Sequence, residues 1–159
     1  FPILPSGPFQ IIVFAILINA FSSFRLLTDP TKARIAVSDK NQYLNDWPAG
    51  NGVDQVVAHI REESKKGEVY VGTEGTFGLL TFALKIYFWG QANPEIVGFW
   101  PVRDIPGQVL EAAKTKKTFF VFNENQNLPD SPGNPHLKLI AKYQKGSGKS
   151  YMRLYEIQP

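Results

Sequence analysis

The chain has 159 residues, 43% hydrophobic and 19% charged, which suits one ordinary domain with a single sizeable core and carries no signature of disorder. Its formal charge is only +3, with lysines and arginines scattered rather than gathered into a strip, so the sequence offers no electrostatic footprint for nucleic acid. It has no cysteine, which excludes disulfides, thiolate nucleophiles and cysteine-ligated zinc, and its two histidines, His59 and His136, match no metal-ligand spacing.

The first stretch, "FPILPSGPFQIIVFAILINAF", carries no charge, and Arg25 is the first charged residue. Starting at Phe1 without a methionine, it reads as cut from a longer protein. Between Phe9 and Phe21 only Gln10 and Asn19 interrupt the apolar run, which reaches the ~20 residues of a bilayer span once "SSF" and "LL" are counted. A buried core helix is the competing reading of so short a run. A secretory signal would need a basic start and a small-residue cleavage pattern, and neither is present. The run lacks a polar face at helical spacing and follows a stiff approach of Pro2, Pro5 and Pro8, so residues 1–27 are expected to form a membrane-spanning or membrane-embedded helix.

Residues 28–52 mix turn formers with Tyr43 and Trp47 and hold no period, as an irregular connector does. From residue 53 to 159 the pattern becomes α/β. "VDQVVAHIREESKK" places Val53, Val56, Val57 and Ile60 on one side, an amphipathic helix closed by Gly67, with His59 among the exposed polar positions. Three strand-length runs follow, "EVYVGT", "EIVGFW" and "TFFVFN", separated by the helical segments "TFGLLTFALKIYFWG" and "IPGQVLEAAKTKK". Alternation of this kind predicts right-handed crossovers and a mainly parallel sheet in a Rossmann-like, three-layer domain. "NENQNLPDSPGNPH" reads as a long polar loop. After it, "LKLIAKYQK" and "SYMRLYEIQ" around "GSGK" predict an antiparallel hairpin that extends the sheet along one edge.

"EVYVGTEGTFGLL" sits where a strand becomes a helix. Gly72, Gly75 and Gly78 give G-x-x-G-x-x-G, which misses the dinucleotide spacing, and Glu74 places negative charge where phosphate oxygens would need donors. The glycines therefore build an elbow, with Thr76 as a helix cap. Open parallel sheets nevertheless bind ligands beyond the carboxyl ends of their strands. The groups there are Glu74 and Thr76 after the first strand, Trp100 and Arg103 after the second, and Asn123 and Glu124 after the third. A soluble α/β enzyme built on them would use Glu74 as general acid or base, with Arg103 and Asn123 holding a polar substrate.

The stretches "DKNQYLNDWPAGNGVDQVV", "YVGTEGTFGLL" and "FFVFNENQ", in that order after a hydrophobic helix, resemble the C-terminal region of bacterial membrane glycosyltransferases related to the dolichyl-phosphate-mannose protein mannosyltransferases. Asp39, Gln42, Tyr43, Trp47, Pro48, Gly50, Gly52, Thr73, Glu74, Gly75 and Gly78 stand at the matching positions. The resemblance implies that residues 1–27 are the last transmembrane helix and that the globular part lies outside the cytoplasm. It implies an accessory to a hexosyltransferase that draws sugar from a polyprenyl-phosphate carrier, covering its active site or binding a glycan or protein acceptor. The acidic residues that act in transfer lie in such enzymes' early outward loops, which this chain lacks, so the fragment alone is not expected to be catalytic. Its implied partners are the membrane domain of the same protein and the bilayer, with no cofactor or metal. Asp39, Gln42, Tyr43 and Trp47 form the first candidate surface, Trp47 serving either as a lid over the core or as a platform for a sugar ring. A membrane-tethered ligand-binding module with no transferase attached is the alternative.

Overall fold

The computed structural model describes residues 7–46, 48–75, 79–123 and 134–159. Two compact units divide at Lys40 and Asn41.

The first unit is dominated by α1 (Pro8–Thr28), whose 21 residues rise about 31 Å, close to the ~30 Å of a hydrocarbon core. It is long and apolar enough to cross a membrane. Two of its polar side chains bond back to the helix: Asn19 Nδ2 donates to the Ala15 carbonyl and Thr28 Oγ1 to that of Phe24, both at 2.8 Å. A turn at Pro30–Lys32 and the four-residue α2 (Val37–Lys40) complete the unit.

The second unit runs α3 (Val53–Ser64), β1 (Val69–Glu74), α4 (Leu79–Tyr87), β2 (Glu95–Phe99), α5 (Gly107–Ala113), β3 (Lys117–Asn123), β4 (Leu137–Gln144) and β5 (Tyr151–Ile157). The sheet order is β2-β1-β3-β5-β4. β1 pairs in parallel with β2 and β3, whereas β5 pairs antiparallel with β3 and β4. The sheet is therefore mixed, not the mainly parallel, Rossmann-like sheet that the strand–helix alternation predicts. The physical reason lies in the hairpin: a tight turn forces β4 and β5 antiparallel, and β5, not β4, takes the place beside β3, which adds a second antiparallel ladder. Extension of the sheet along one edge by this hairpin is as expected.

Each face of the sheet is covered. Val53, Val56, Val57 and Ile60 of α3, with Leu80, Leu84 and Phe88 from α4 and the turn after it, pack on Val69, Val71, Phe119, Val121, Met152 and Leu154. On the opposite face α5, through Val109, covers Tyr70, Phe120, Phe122, Tyr155 and Ile157. Alternate residues of β1, β3 and β5 thus serve opposite layers, and β1, at an inner position, is buried along its whole length. His59, expected at an exposed position, is half-buried with its ring edge-on to Phe119 at 5.2 Å, because it neighbours Ile60 on the inward flank of α3.

The elbow after β1 is held by hydrogen bonds. Gly75, at φ 88°, donates its N–H to the Phe99 carbonyl at 2.7 Å. Thr81 Oγ1 donates to the Gly75 carbonyl at 2.5 Å and, its one proton used, accepts from Thr73 Oγ1 at 2.6 Å. This closeness requires Gly98 on β2, where a Cβ would lie 2.1 Å from the Gly75 carbonyl oxygen and 2.6 Å from Thr81 Oγ1. Gly78 and Thr76, the other elbow residues, lie outside the described residues. Because backbone rather than a movable side chain stands in the way, Gly98→Ala should lower stability by about 3 kcal/mol, read as the urea midpoint of the chain in detergent micelles. A shift within error would show that the elbow yields freely.

Candidate functional site

The carboxyl ends of the parallel strands hold three charged side chains that are buried. Glu74 closes β1 at 4% exposure, Arg153 lies on β5 at 2%, and Lys145, in the turn after β4, is fully buried. Alternation along β1 turns Glu74 toward the same face as Tyr70. Arg153 pairs with Phe122 across β3 and β5, and its guanidinium sits 5.8 Å from the centroids of both the Phe122 and Tyr151 rings. Flanking aromatic rings favour guanidinium where a strand interior would otherwise penalise charge.

Lys145 is the hub. Its backbone N–H donates to the Ser150 carbonyl at 2.9 Å, closing the hairpin, and its ammonium donates to the Ala49 carbonyl at 2.8 Å. Burial pushes the ammonium down to about 8, opposed by the field of the Glu74 carboxylate. A buried cation is costly unless matched by charge and hydrogen bonds, and Glu74 and Ala49 supply one of each.

Ala49 belongs to the connector, whose second half wraps the hairpin tip. Residues Asn41–Asn45 form one wide helical turn that buries Leu44. Asn45 Oδ1 accepts from the backbone N–H of Ser147 at 3.0 Å and from its hydroxyl at 3.3 Å. Gly146 takes φ 50°, and a Cβ there would meet Asn45 Oδ1 at 2.5 Å and the Leu44 carbonyl oxygen at 2.7 Å. The Trp-Pro-x-Gly-x-Gly segment thus supplies, at Ala49 and Gly52, the carbonyl that receives Lys145 and the N-cap of α3.

Beside this clamp lies a cleft of about 560 Å³ lined by Gly50, Asn51, Gly52, Asp54, Gln55, Lys142, Tyr143 and Gln144. Asp54 accepts from the Tyr87 hydroxyl at 2.5 Å, which raises that phenol above its ordinary range, and Lys142 holds its ammonium 4.0 Å from the centroid of the Tyr151 ring. The lining is rich in amide, carboxylate and backbone groups, a set suited to a hydroxyl-bearing ligand.

The residues singled out from the sequence fall in different places. Glu74 joins the buried cluster. Trp100 and Arg103 are exposed past the end of β2, Trp100 at 59%. Gln42 and Tyr43 are exposed on the turn that leads into the clamp, and Asp39 is exposed on α2 of the first unit. Asn123 ends β3. Trp47, Thr76 and Glu124 lie outside the described residues, as does most of the polar loop before the hairpin. Among the described residues no three His, Asp or Glu side chains group to hold a metal ion.

Lys145, Arg153 and the cleft were missed. Arg153 left a trace, since "YMRLYEI" places a charge at an inward position of a strand covered on both faces. Lys145 left none, because a lysine beside "GSG" reads as a solvated turn residue.

Lys145 sets a pH signature. Unfolded, it stays protonated to about pH 10.5; folded, it releases its proton from about pH 8, so between these values the unfolded chain binds more protons and stability rises with pH. Tyr70, pushed up to about 12 by burial and by Glu95, acts in the opposite sense only above about pH 10. From pH 7.5 to 10, wild type should gain about 2 kcal/mol relative to Lys145→Met in urea unfolding, and parallel profiles would refute the buried ammonium. The chain matches no protein-family model, and no curated protein or solved structure proves similar to it.

Proposed function

We propose that the chain is a membrane-tethered, extracytoplasmic accessory domain of a polyprenyl-phosphate-sugar-dependent glycosyltransferase, and that its polar cleft contacts the glycan of an acceptor. The observation that carries the reading is the cleft itself. One wall is the Gly50–Gly52 segment of the connector, part of the stretch that resembles the glycosyltransferase tail, and it brings Asn51, Asp54, Gln55 and Gln144 round one space. Side-chain amides, a carboxylate and main-chain groups offer donors and acceptors in the mixture that sugar hydroxyls need.

Two further observations support it. The helix Pro8–Thr28 is long and apolar enough to anchor the chain in a bilayer. Glu74, the residue on which a soluble enzyme would depend, is buried beside Lys145 and balances a structural cation. The domain's contribution to transfer is then recognition, with sugar transfer performed by the membrane domain of the parent protein.

Titration of the full chain in bicelles with a mannose oligosaccharide, followed by amide NMR, should move the resonances of Asn51, Asp54, Gln55 and Gln144. Gln55→Ala should weaken the affinity about fivefold, the worth of one hydrogen bond near 1 kcal/mol. Shifts confined to other surfaces, or an affinity indifferent to Gln55, would overturn the assignment.

A further inference from the structure

Among the described residues α3, α4 and α5 flank the sheet, and α4 is apolar on its outward side as well as its inward side. Around α4, Leu80 and Leu84, with Phe88 just beyond, are buried at 7%, 0% and 4%. On the other side Phe82, Ile86 and Trp89, spaced i, i+4 and i+7, are 49%, 70% and 85% exposed, with Tyr87 beside them at 44%. The outward positions of α3 include Asp54, Gln55, Arg61 and Glu62, and those of α5 include Gln108 and Glu111. The same sheet thus tolerates polar outer faces on its other helices, and α4 departs from them. A contiguous exposed patch of this kind marks a surface that meets a partner.

We propose that this outward face of α4 rests on the surface of the lipid bilayer that holds the chain; the inference depends on the reading of residues 8–28 as a membrane span. The chemistry of the stripe selects lipid over a protein partner. Lys85 stands within it, one turn from Phe82 and next to Ile86, and is exposed. Lysine is depleted from the apolar centre of protein interfaces, whereas at a bilayer its stem lies along the acyl boundary while its ammonium reaches the phosphates. Tryptophan and tyrosine are the residues enriched at that boundary.

The tether keeps the second unit close to the bilayer. Residues 29–40, twelve in all, separate the end of α1 from the second unit and span at most about 40 Å fully extended. A chain anchored through α1 keeps α4 at an effective concentration of order millimolar against the bilayer, so a weak apolar contact suffices. Burial of Ile86 and Trp89 at the headgroup boundary then orients the second unit on the membrane, as an interfacial helix does.

The chain lacks cysteine, so single cysteines take a nitroxide label without background. Full-length protein, one copy per nanodisc of phosphatidylethanolamine and phosphatidylglycerol, would carry the label at Ile86→Cys, at Val13→Cys within α1, or at Gln108→Cys on α5 as an aqueous reference. The expected result is that Val13 and Ile86 labels are both more accessible to oxygen, and less accessible to a water-soluble nickel chelate, than the Gln108 label. A Val13 label in lipid with an Ile86 label as water-exposed as Gln108 overturns the proposal and leaves the membrane reading standing. An immobilised Ile86 label shielded from both reagents means protein contact and overturns it equally. A water-exposed Val13 label overturns both.

Discussion

The ammonium of Lys145, donating to the Ala49 carbonyl from a fully buried position, is the contact on which the organisation of the second unit turns. Three parts of the chain far apart in sequence meet there: the end of the connector, the tip of the β4–β5 hairpin and, through the field of Glu74, the end of β1. Gly146 and Ser147 bear on the connector through polar and main-chain atoms, and a hairpin tip bears no hydrophobic payload of its own. Removing a buried cation alone leaves its carboxylate and carbonyl partners unmatched, and the cation itself penalises every arrangement in which those partners are absent. This contact and the Asn45–Ser147 bonds join the connector to the hairpin tip, and the cleft is lined by Gly50–Gly52, Asp54 and Gln55 on one side and by Lys142–Gln144 on the other.

Much of the fold was legible because its determinants are local and periodic. Val53, Val56, Val57 and Ile60 mark their helix by a 3.6-residue repeat, and β1, β2 and β3 coincide with runs rich in β-branched and aromatic residues. The order and sense of the strands were only half legible. The crossovers fix three strands as parallel, but which hairpin strand takes the place beside β3 depends on side chains of β5, Leu154 and Tyr155 among them, fitting Val121 and Phe120, and such fit has no sequence period. The site was the least legible part. Glu74 drew notice as a carboxylate at an elbow, yet its meaning comes from Lys145, 71 positions on, and no local pattern pairs the two. The sequence offers Asp39, Gln42, Tyr43 and Trp47 of the connector as a surface, and the structure uses Ala49 and Gly52 of the same segment as framework.

The functional reading grows from that framework. The second unit carries a short polar cleft, and the first carries an apolar helix of bilayer length.

The central claim is that residues 41–52 belong to the same cooperative unit as the sheet through Lys145. Native-state hydrogen exchange of the full chain in bicelles tests it most directly. The amides of Ala49 and Val53, bonded to Asp46 and Gly50, should share the opening free energy of the Lys145 and Gly148 amides at the hairpin tip, and Lys145→Met should lower all four together. If Ala49 and Val53 instead exchange at unprotected rates while the hairpin remains protected, the connector is a free linker and the account is contradicted.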